Sequence, residues 1–181
     1  MQINLAKTAS KNLIDLINIT NGTALTSAEI SLGVPAEFVD PEGINDRNTQ
    51  CEVSAVPGSG YTDSVMVRFY RLDLDVLKGV RVLSYTKSEG SDMASFVDAI
   101  ATQLEVIEDQ LEVLDSEGTV LTELPVLNGE AATLTIRAKA DSYTYIGSTT
   151  ATLEPIPVTE TPVGDEVQQQ DLDGFDAPPA E

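Results

Sequence analysis

Two groups of aspartates are the residues of this chain whose spacing could support chemistry. Asp73 and Asp75 lie two positions apart between apolar residues, so on a strand they would share one face, as a glycosidase or a calcium site could require. Asp171, Asp173 and Asp176 have the oxygen-rich spacing of a calcium loop, without its closing glutamate. Because the chain has 30 acidic residues, such groups also arise by accident, and we interpret both as solvated surface.

Other residue types that catalysis commonly uses are missing. The chain has no histidine, which is the commonest general base and a common metal ligand, and no tryptophan. It has no nucleophile elbow, phosphate-binding loop or Cys/His metal-ligand spacing. We therefore predict a protein that is not an enzyme and that has no catalytic residues, metal, cofactor or small-molecule substrate.

The elements that must position the aspartates follow a repeated pattern. Residues 12–56 align without a gap on residues 95–139, a shift of 83 positions, and after one inserted residue a shift of 84 aligns Tyr61 with Tyr145. The aligned stretches preserve the alternation of apolar and polar residues. We predict an α+β fold that contains two related helix-plus-antiparallel-sheet units in tandem, followed by an extended C-terminal arm.

The predicted boundaries follow from this repeat. Residues 10–76 form the first α+β unit and residues 92–155 the second, with residues 77–91 as the connector. Residues 1–9 are the N-terminal arm. Residues 156–181 are the acidic, proline-rich C-terminal arm.

Each unit is predicted to begin with an amphipathic helix. Ser10 is the expected N-cap of the first helix, and Asn21 followed by Gly22 is the expected stop. In the second unit, apolar residues from Met93 to Leu111 recur at three- and four-residue spacings. This pattern predicts the longest helix of the chain.

Each helix is followed by a predicted hairpin. Residues 49–56 and 61–72 alternate as strands around the turn at 57–60, and residues 132–140 and 143–153 form the second pair. Residues 79–85 of the connector are also strand-like. The single cysteine, Cys51, falls in the first of these strands, where we expect a small buried apolar residue, and one cysteine allows no disulfide within the chain.

The net charge of −20 limits the classes of partner. An excess of acid repels the phosphates of nucleic acids and of anionic membranes, so we predict that neither is a direct partner. No apolar run approaches the roughly 20 residues that span a bilayer, and the N-terminus lacks the apolar core of a signal peptide. We therefore expect a soluble protein made in the cytoplasm.

The C-terminal arm is the predicted partner-binding segment. It contains no lysine or arginine, and its composition predicts an extended or disordered chain when it is alone in water. Its spaced apolar residues are the expected docking points on neighbouring subunits. These residues are Val158, Val163, Val167, Leu172 and Phe175.

Half of the ten basic residues lie within twenty positions. They are Arg68, Arg71, Lys78, Arg81 and Lys87. A solvated strand face is the simpler interpretation of this cluster. The alternative is a basic patch that receives an acidic arm from a neighbouring copy and so offsets the self-repulsion of the chain, with Arg68, Arg71 and Arg81 as its partner-binding members.

Several turn and hairpin motifs resemble those of a known family. They are Arg-Asn-Thr at 47–49, Gly-Ser-Gly-Tyr-Thr-Asp-Ser-Val at 58–65, Tyr-Arg-Leu-Asp-Leu at 70–74, Ala-Lys-Ala-Asp-Ser at 138–142 and Ile-Gly-Ser at 146–148. Over residues 10–155 the chain resembles duplicated virion structural proteins of large tailed bacteriophages. In that family a glycine stands at the position of Asp63, and Gly147 keeps this glycine in the second unit.

The resemblance implies an assembly subunit of a virus particle without catalytic residues. We expect a non-enzymatic virion structural protein, foremost a capsid (head) decoration or accessory protein that binds neighbouring subunits through its termini. A tail, collar or baseplate component is the first alternative. A surface adhesin or glycan-binding module is the second, and an acidic mimic of DNA is the third. The expected partners are other virion proteins and copies of itself, and the expected location is the virion, assembled in the host cytoplasm.

Overall fold

Three α-helices and three β-sheets make up residues 1–156, which are the part of the chain that the computed structural model describes. The predicted α+β class is confirmed. The helices and sheets form two halves, which a short parallel strand pair connects.

The first helix, α1, comprises Ala9–Asn21 and packs Leu13 and Ile14 against the first sheet. Its N-cap is Thr8, whose side chain accepts a hydrogen bond from the backbone N–H of Lys11, so the prediction of Ser10 was two positions late. The predicted stop is confirmed. Gly22 has φ 67°, which glycine adopts without steric cost, and its N–H donates to the helix carbonyl of residue 18.

The N-terminal arm lies against α1. Asn12 of the helix accepts a hydrogen bond from the N–H of Asn4 at 2.8 Å and donates its side-chain amide to the carbonyl of Asn4 at 3.0 Å. Ile3 packs against the core of the second half. The arm is therefore held by contacts within its own chain.

The first sheet has β3, Thr49–Ala55, at its centre. Two short strands, β1 (Ile30–Leu32) and β2 (Ala36–Glu37), follow one another along one side of β3, and β4 (Ser64–Phe69) pairs with its other side. All three pairings are antiparallel. The predicted turn at residues 57–60 connects β3 to β4, so the first hairpin is confirmed.

After β4 the chain departs from the predicted strand. A two-residue strand, β5 (Leu72–Asp73), leads directly into a short helix, α2 (Leu74–Lys78). The carboxylate of Asp73 caps this helix by accepting the N–H groups of Asp75 and Val76. Asp73 and Asp75 therefore do not share a strand face, because capping free helix amides stabilises a turn that alternation alone does not reveal. In the connector, only β6 (Ser84–Thr86) is a strand.

The second sheet has the order β6, β10, β8, β7 and packs against α3. Its β6 runs parallel to β10, and the other pairs are antiparallel. The remaining elements of this half are α3 (Met93–Leu104), a 3₁₀ turn (Glu108–Gln110), β7 (Leu111–Leu114), β8 (Ala132–Ala138), β9 (Tyr145–Ile146) and β10 (Ser148–Glu154).

Helix α3 is shorter than predicted. It ends at Leu104 because Glu105 adopts a left-handed conformation, with φ 60° and ψ 49°, and returns its N–H to the last turn. Ile107 and Leu111 continue the apolar spacing and are buried, but Leu111 begins β7. With 12 residues against 13, α3 is also shorter than α1.

The larger of the cores lies between α3 and the second sheet. Leu74 of α2 is buried in this core together with Phe96 and Ile100 of α3 and Leu153 of β10. The predicted boundary of the first unit at residue 76 therefore separates Leu74 from the side chains it packs against.

Two turn residues have positive φ and suggest a matched pair of variants. Asp63 has φ 67° and Gly147 has φ 73°. A Cβ at Gly147 would lie 2.7 Å from a carboxylate oxygen of Asp73, and moving Asp73 would remove the cap of α2.

We expect Gly147→Ala to lower the free energy of unfolding by about 1–3 kcal/mol, through the left-handed backbone and the lost cap. Asp63→Gly should instead leave stability unchanged or raise it by up to about 1 kcal/mol. Urea unfolding followed by circular dichroism measures both. Equal midpoints for Gly147→Ala and the native chain would contradict the geometry of this turn.

Candidate functional site

The predicted partner-binding residues divide into those that the structure describes and those that it does not. Arg68, Arg71 and Arg81 lie within residues 1–156. The predicted docking residues and the calcium-like aspartates lie outside the described residues. These are Val158, Val163, Val167, Leu172 and Phe175, and Asp171, Asp173 and Asp176.

Arg71 is buried between the two halves and connects them, so it is not part of a solvated face. It is 8% exposed, its Nε donates to the Thr49 hydroxyl at 2.8 Å, and its Nη1 donates to the carbonyl of Ser142 at 2.9 Å. Its backbone exchanges two hydrogen bonds with the side chain of Asn48. Burial lowers the pKa of the Arg71 guanidinium, and the nearby charge of Glu37 opposes this shift. The guanidinium therefore binds acceptors within its own chain.

A parallel strand pair and a tyrosine complete this connection, which we call the junction. Leu72 of β5 pairs with Tyr145 of β9. Tyr143 packs against the core of the first half, and its hydroxyl donates to the carbonyl of Gly33 at 3.2 Å. The junction thus joins residues that are far apart in the sequence.

Arg81 is exposed, but its hydrogen bonds connect the C-terminal ends of two helices. Its guanidinium donates to the carbonyls of Leu77 and Lys78 in α2 and to the carbonyl of Gln103 in α3, the last at 2.6 Å. Carbonyls at helix C-termini lack partners within the helix and attract cations. Neighbouring Lys78 donates to the hydroxyl of Thr150 in β10 at 3.0 Å. This part of the basic cluster therefore supports α2.

Arg68 is the member of the cluster that lies on an open strand. It is exposed on β4, and its guanidinium carbon is 4.5 Å from the centre of the Phe38 ring. Within residues 1–156 it forms no ion pair. Arg68 is thus available to an acidic partner.

Three exposed valines around α2, which we call the α2 patch, were not predicted from the sequence. Val76, Val80 and Val82 are 78%, 101% and 81% exposed. The sequence predicts a strand over residues 79–85, but the strand β6 begins only at Ser84, after Val80 and Val82. Three exposed valines within seven positions of the chain are a candidate interaction surface.

A second open surface is the outer edge of β4, residues 64–68. Ala55 of β3 donates its N–H to the carbonyl of Asp63, so odd-numbered residues of β4 direct their backbone groups to β3 and even-numbered residues direct theirs away. The outward groups belong to Ser64, Met66 and Arg68. Within the described part of the chain, β4 pairs with β3 alone. We call this surface the β4 edge.

Cys51 is enclosed, as predicted. Its side chain is buried beneath α1, and its thiol donates to the carbonyl of Gly33 at 3.0 Å. Burial raises the pKa of the Cys51 thiol, and burial also raises the pKa of Tyr143 beside it. Both groups stay neutral near pH 7 and contribute packing and hydrogen bonds.

An apolar cavity of about 280 Å³ lies between the N-terminal arm and the junction. Met1, Leu13, Phe69 and Tyr143 are among the side chains around it. Its size and lining suit an apolar side chain. Among residues 1–156, no three His, Cys, Asp or Glu side chains form a group that could hold a metal ion. No helix in the same stretch has the length and apolar character needed to cross a membrane.

Comparison with protein families matches residues 2–180 to a family described as "Family of unknown function (DUF7941)". Comparison with curated proteins and with solved structures found no match.

Proposed function

We propose that this chain, which belongs to the DUF7941 family of unknown function, is a non-enzymatic structural protein of a tailed bacteriophage virion. The proposed place is the head surface, as a decoration or accessory protein. A tail, collar or baseplate component is the alternative. In either place, the protein would bind copies of itself and other virion proteins.

The observation that carries this proposal is the α2 patch. Its three valines stand in water on a chain with a net charge of −20. Exposed apolar side chains cost free energy in water, and burying them against another molecule would recover it. A large net charge keeps free subunits apart until complementary surfaces meet. This combination is typical of a subunit that is built to be covered in an assembly.

We further propose that the two halves are duplicated units. The ends of their helices support this: Gly22 after α1 and Glu105 after α3 lie 83 positions apart, and both are left-handed. Their N–H groups return to the carbonyls of Asn18 and Ala101, which are also 83 positions apart. The same cap therefore recurs at the same shift as the sequence repeat.

The hairpins support the duplication in the same way. Ser54 pairs with Ser64 in the first sheet, and Arg137 pairs with Ser148 in the second. The first strands of these pairs are shifted by 83 positions and the second strands by 84, as the single inserted residue requires. Unrelated hairpins would not be expected to share both register and insertion.

The turns that precede β4 and β10 agree as well. Ala55 donates its N–H to the carbonyl of Asp63, and Ala138 donates its N–H to the carbonyl of Gly147. Asp63 and Gly147 both have positive φ. Asp63 therefore occupies a conformation that favours glycine, which fits the glycine expected there from the family resemblance.

The charge of the C-terminal arm supports a role in binding neighbours. Residues 156–181 contain seven acidic and no basic residues. An arm of this charge complements exposed cations such as Arg68, and pairing between copies would offset part of the self-repulsion. Repetition over many copies makes even weak contacts effective.

Truncation of the arm tests the proposal. In the virus that encodes the chain, a stop codon after Pro157 should give a protein with the native circular dichroism spectrum that is absent from purified particles, as measured by mass spectrometry. A matched variant with the five predicted apolar docking residues changed to serine keeps the length and charge of the arm. This variant should also be lost from particles. Normal incorporation of the truncated chain would refute the binding role of the arm.

Two further experiments test the alternative positions and functions. Immunogold labelling of particles distinguishes a head from a tail position. A glycan array with the purified chain tests the adhesin alternative, for which saturable binding to one class of sugar would be required.

A further inference from the structure

We propose that the β4 edge pairs with a short strand from the C-terminal arm of a neighbouring copy. The inference rests on the proposed function, because it names the surface at which the arm would bind. The arm residues involved are 158–161.

The β4 edge has the features of a strand that awaits a partner. Its outward N–H and C=O groups, at Ser64, Met66 and Arg68, have no backbone partner within residues 1–156. Val65 and Met66 are exposed on the two faces of the strand. Proteins normally protect such an edge with short strands, bulges or covering segments, because it is a template for another chain.

The corresponding edge of the second sheet is paired within the chain at its last three residues. By the shift of 84, β10 corresponds to β4, and β10 pairs on its outer side with the parallel strand β6. Thr152 donates its N–H to the carbonyl of Leu83, and Lys87 donates its N–H to the carbonyl of Glu154, both at 2.9 Å. A parallel strand of three residues is therefore enough to pair with part of this edge.

The C-terminal arm contains a run of suitable length and composition. Residues 158–161, Val-Thr-Glu-Thr, lie between Pro157 and Pro162 and are free of proline. Three of the four are β-branched, which favours strands, and four residues exceed the three of β6. The acidic arm also complements Arg68, which has no ion pair within the described part of the chain.

The position of the run favours a neighbouring copy as its source. The described chain ends beyond β10, a strand of seven residues that places its far end about 23 Å from Gly147 beside the junction. Residues 158–161 follow within five positions of Ile156 and can reach about 18 Å at most. To reach the junction, near which β4 ends, the arm of the same chain would have to run almost fully extended back along β10, so the arm of a neighbouring copy is the favoured source.

Hydrogen exchange on the full-length protein tests the proposal. The amides of Ser64, Met66 and Arg68 should exchange at least about tenfold more slowly at a concentration where the protein self-associates than at a dilution where it is monomeric. The amides of Val65 and Val67 pair with β3 and should be protected at both concentrations. Equal exchange of the three outward amides at both concentrations would overturn the proposal, whether that exchange is fast or slow.

A pair of variants at Met66 isolates the edge. Met66→Pro removes one outward N–H and keeps the bonds that face β3, which proline tolerates on an edge strand. It should abolish the concentration-dependent protection, whereas Met66→Thr should retain it. Retained protection in a folded Met66→Pro variant would argue against pairing at this edge.

Cross-linking gives an answer even if Met66→Pro fails to fold. In the full chain, Met66→Cys combined with Thr159→Cys should form disulfides between chains on oxidation, seen on non-reducing gels, while Cys51 stays buried. Absence of a disulfide, or a disulfide within one chain, would overturn the proposal.

Incorporation into particles separates this inference from the proposed function. If Met66→Pro enters particles normally while the chain truncated after Pro157 does not, the arm binds elsewhere and the proposed function stands. If the truncated chain also enters normally, the arm does not bind neighbours and this inference fails, while the proposal of a virion protein stands. Absence of the native chain from purified particles would refute that proposal.

Discussion

Replacement of Arg71 by alanine is expected to destabilise the protein by about 3–5 kcal/mol. The guanidinium donates to the buried hydroxyl of Thr49 and to the carbonyl of Ser142, and both hydrogen bonds involve a charged donor in a buried site. Without Arg71 these acceptors lose their partner and a space opens at the junction. Urea unfolding followed by tyrosine fluorescence and circular dichroism measures the change.

Two further substitutions identify the cause of that loss. Arg71→Lys keeps the charge but cannot donate in two directions from a planar group, so it should recover only part of the stability. Arg68→Ala removes an exposed arginine beside Phe38 and should cost less than about 1 kcal/mol. A loss below about 1 kcal/mol for Arg71→Ala would show that this side chain does not hold the halves together.

Leu74→Ala should lower the free energy of unfolding by about 3 kcal/mol, within the usual range of 2–5 for a buried leucine. Leu74 is fully buried in the core of the second half, so the substitution removes methyl groups and leaves a cavity that the rigid sheet cannot fill. Chemical denaturation of the two proteins under the same conditions gives the difference.

Val76→Ala is the matched control for this prediction. Val76 lies on the same short helix but is 78% exposed, so its substitution should change stability by less than about 0.5 kcal/mol. Similar losses for Leu74→Ala and Val76→Ala would mean that the helix itself, and not the packing of Leu74, is what the substitutions disturb.

The parts of the fold that local chemistry determines could be predicted from the sequence. The stop after α1 depends on Gly22 itself, and the first hairpin depends on the turn residues 57–60 between two alternating runs. The burial of Cys51 follows from the same alternation. These features need no knowledge of distant residues.

The parts that distant contacts or single backbone angles determine could not. Arg71 is buried because Ser142, 71 positions later, supplies an acceptor. Helix α3 ends because Glu105 turns left-handed, although the apolar spacing continues past it. Helix α2 exists because Asp73 caps it, in a stretch that alternates like a strand. The periodicity of apolar residues indicates which side chains are buried. It does not determine where a helix ends, whether a short helix forms, or which distant residue supplies a hydrogen-bond partner.

The candidate surfaces also differ in whether local sequence or distant contacts determine them. Arg68 lies on the outer face of its strand, as the alternation of residues 65–70 indicates. The α2 patch and the open β4 edge depend on which neighbours are present in space, so the sequence alone does not reveal them. The docking residues of the C-terminal arm stay a prediction.

The contacts of Tyr143 mean that the first half of the molecule can complete its core only after residue 143 has been synthesised. Its hydroxyl reaches Gly33, 110 positions earlier in the chain, and its ring closes the core around Leu13 and Phe69. A nascent chain grows from its N-terminus at about 5–20 residues per second, so the first half must wait several seconds for this side chain after its own strands are made. During that interval Leu13 and Phe69 lack the contact that Tyr143 provides in the folded protein.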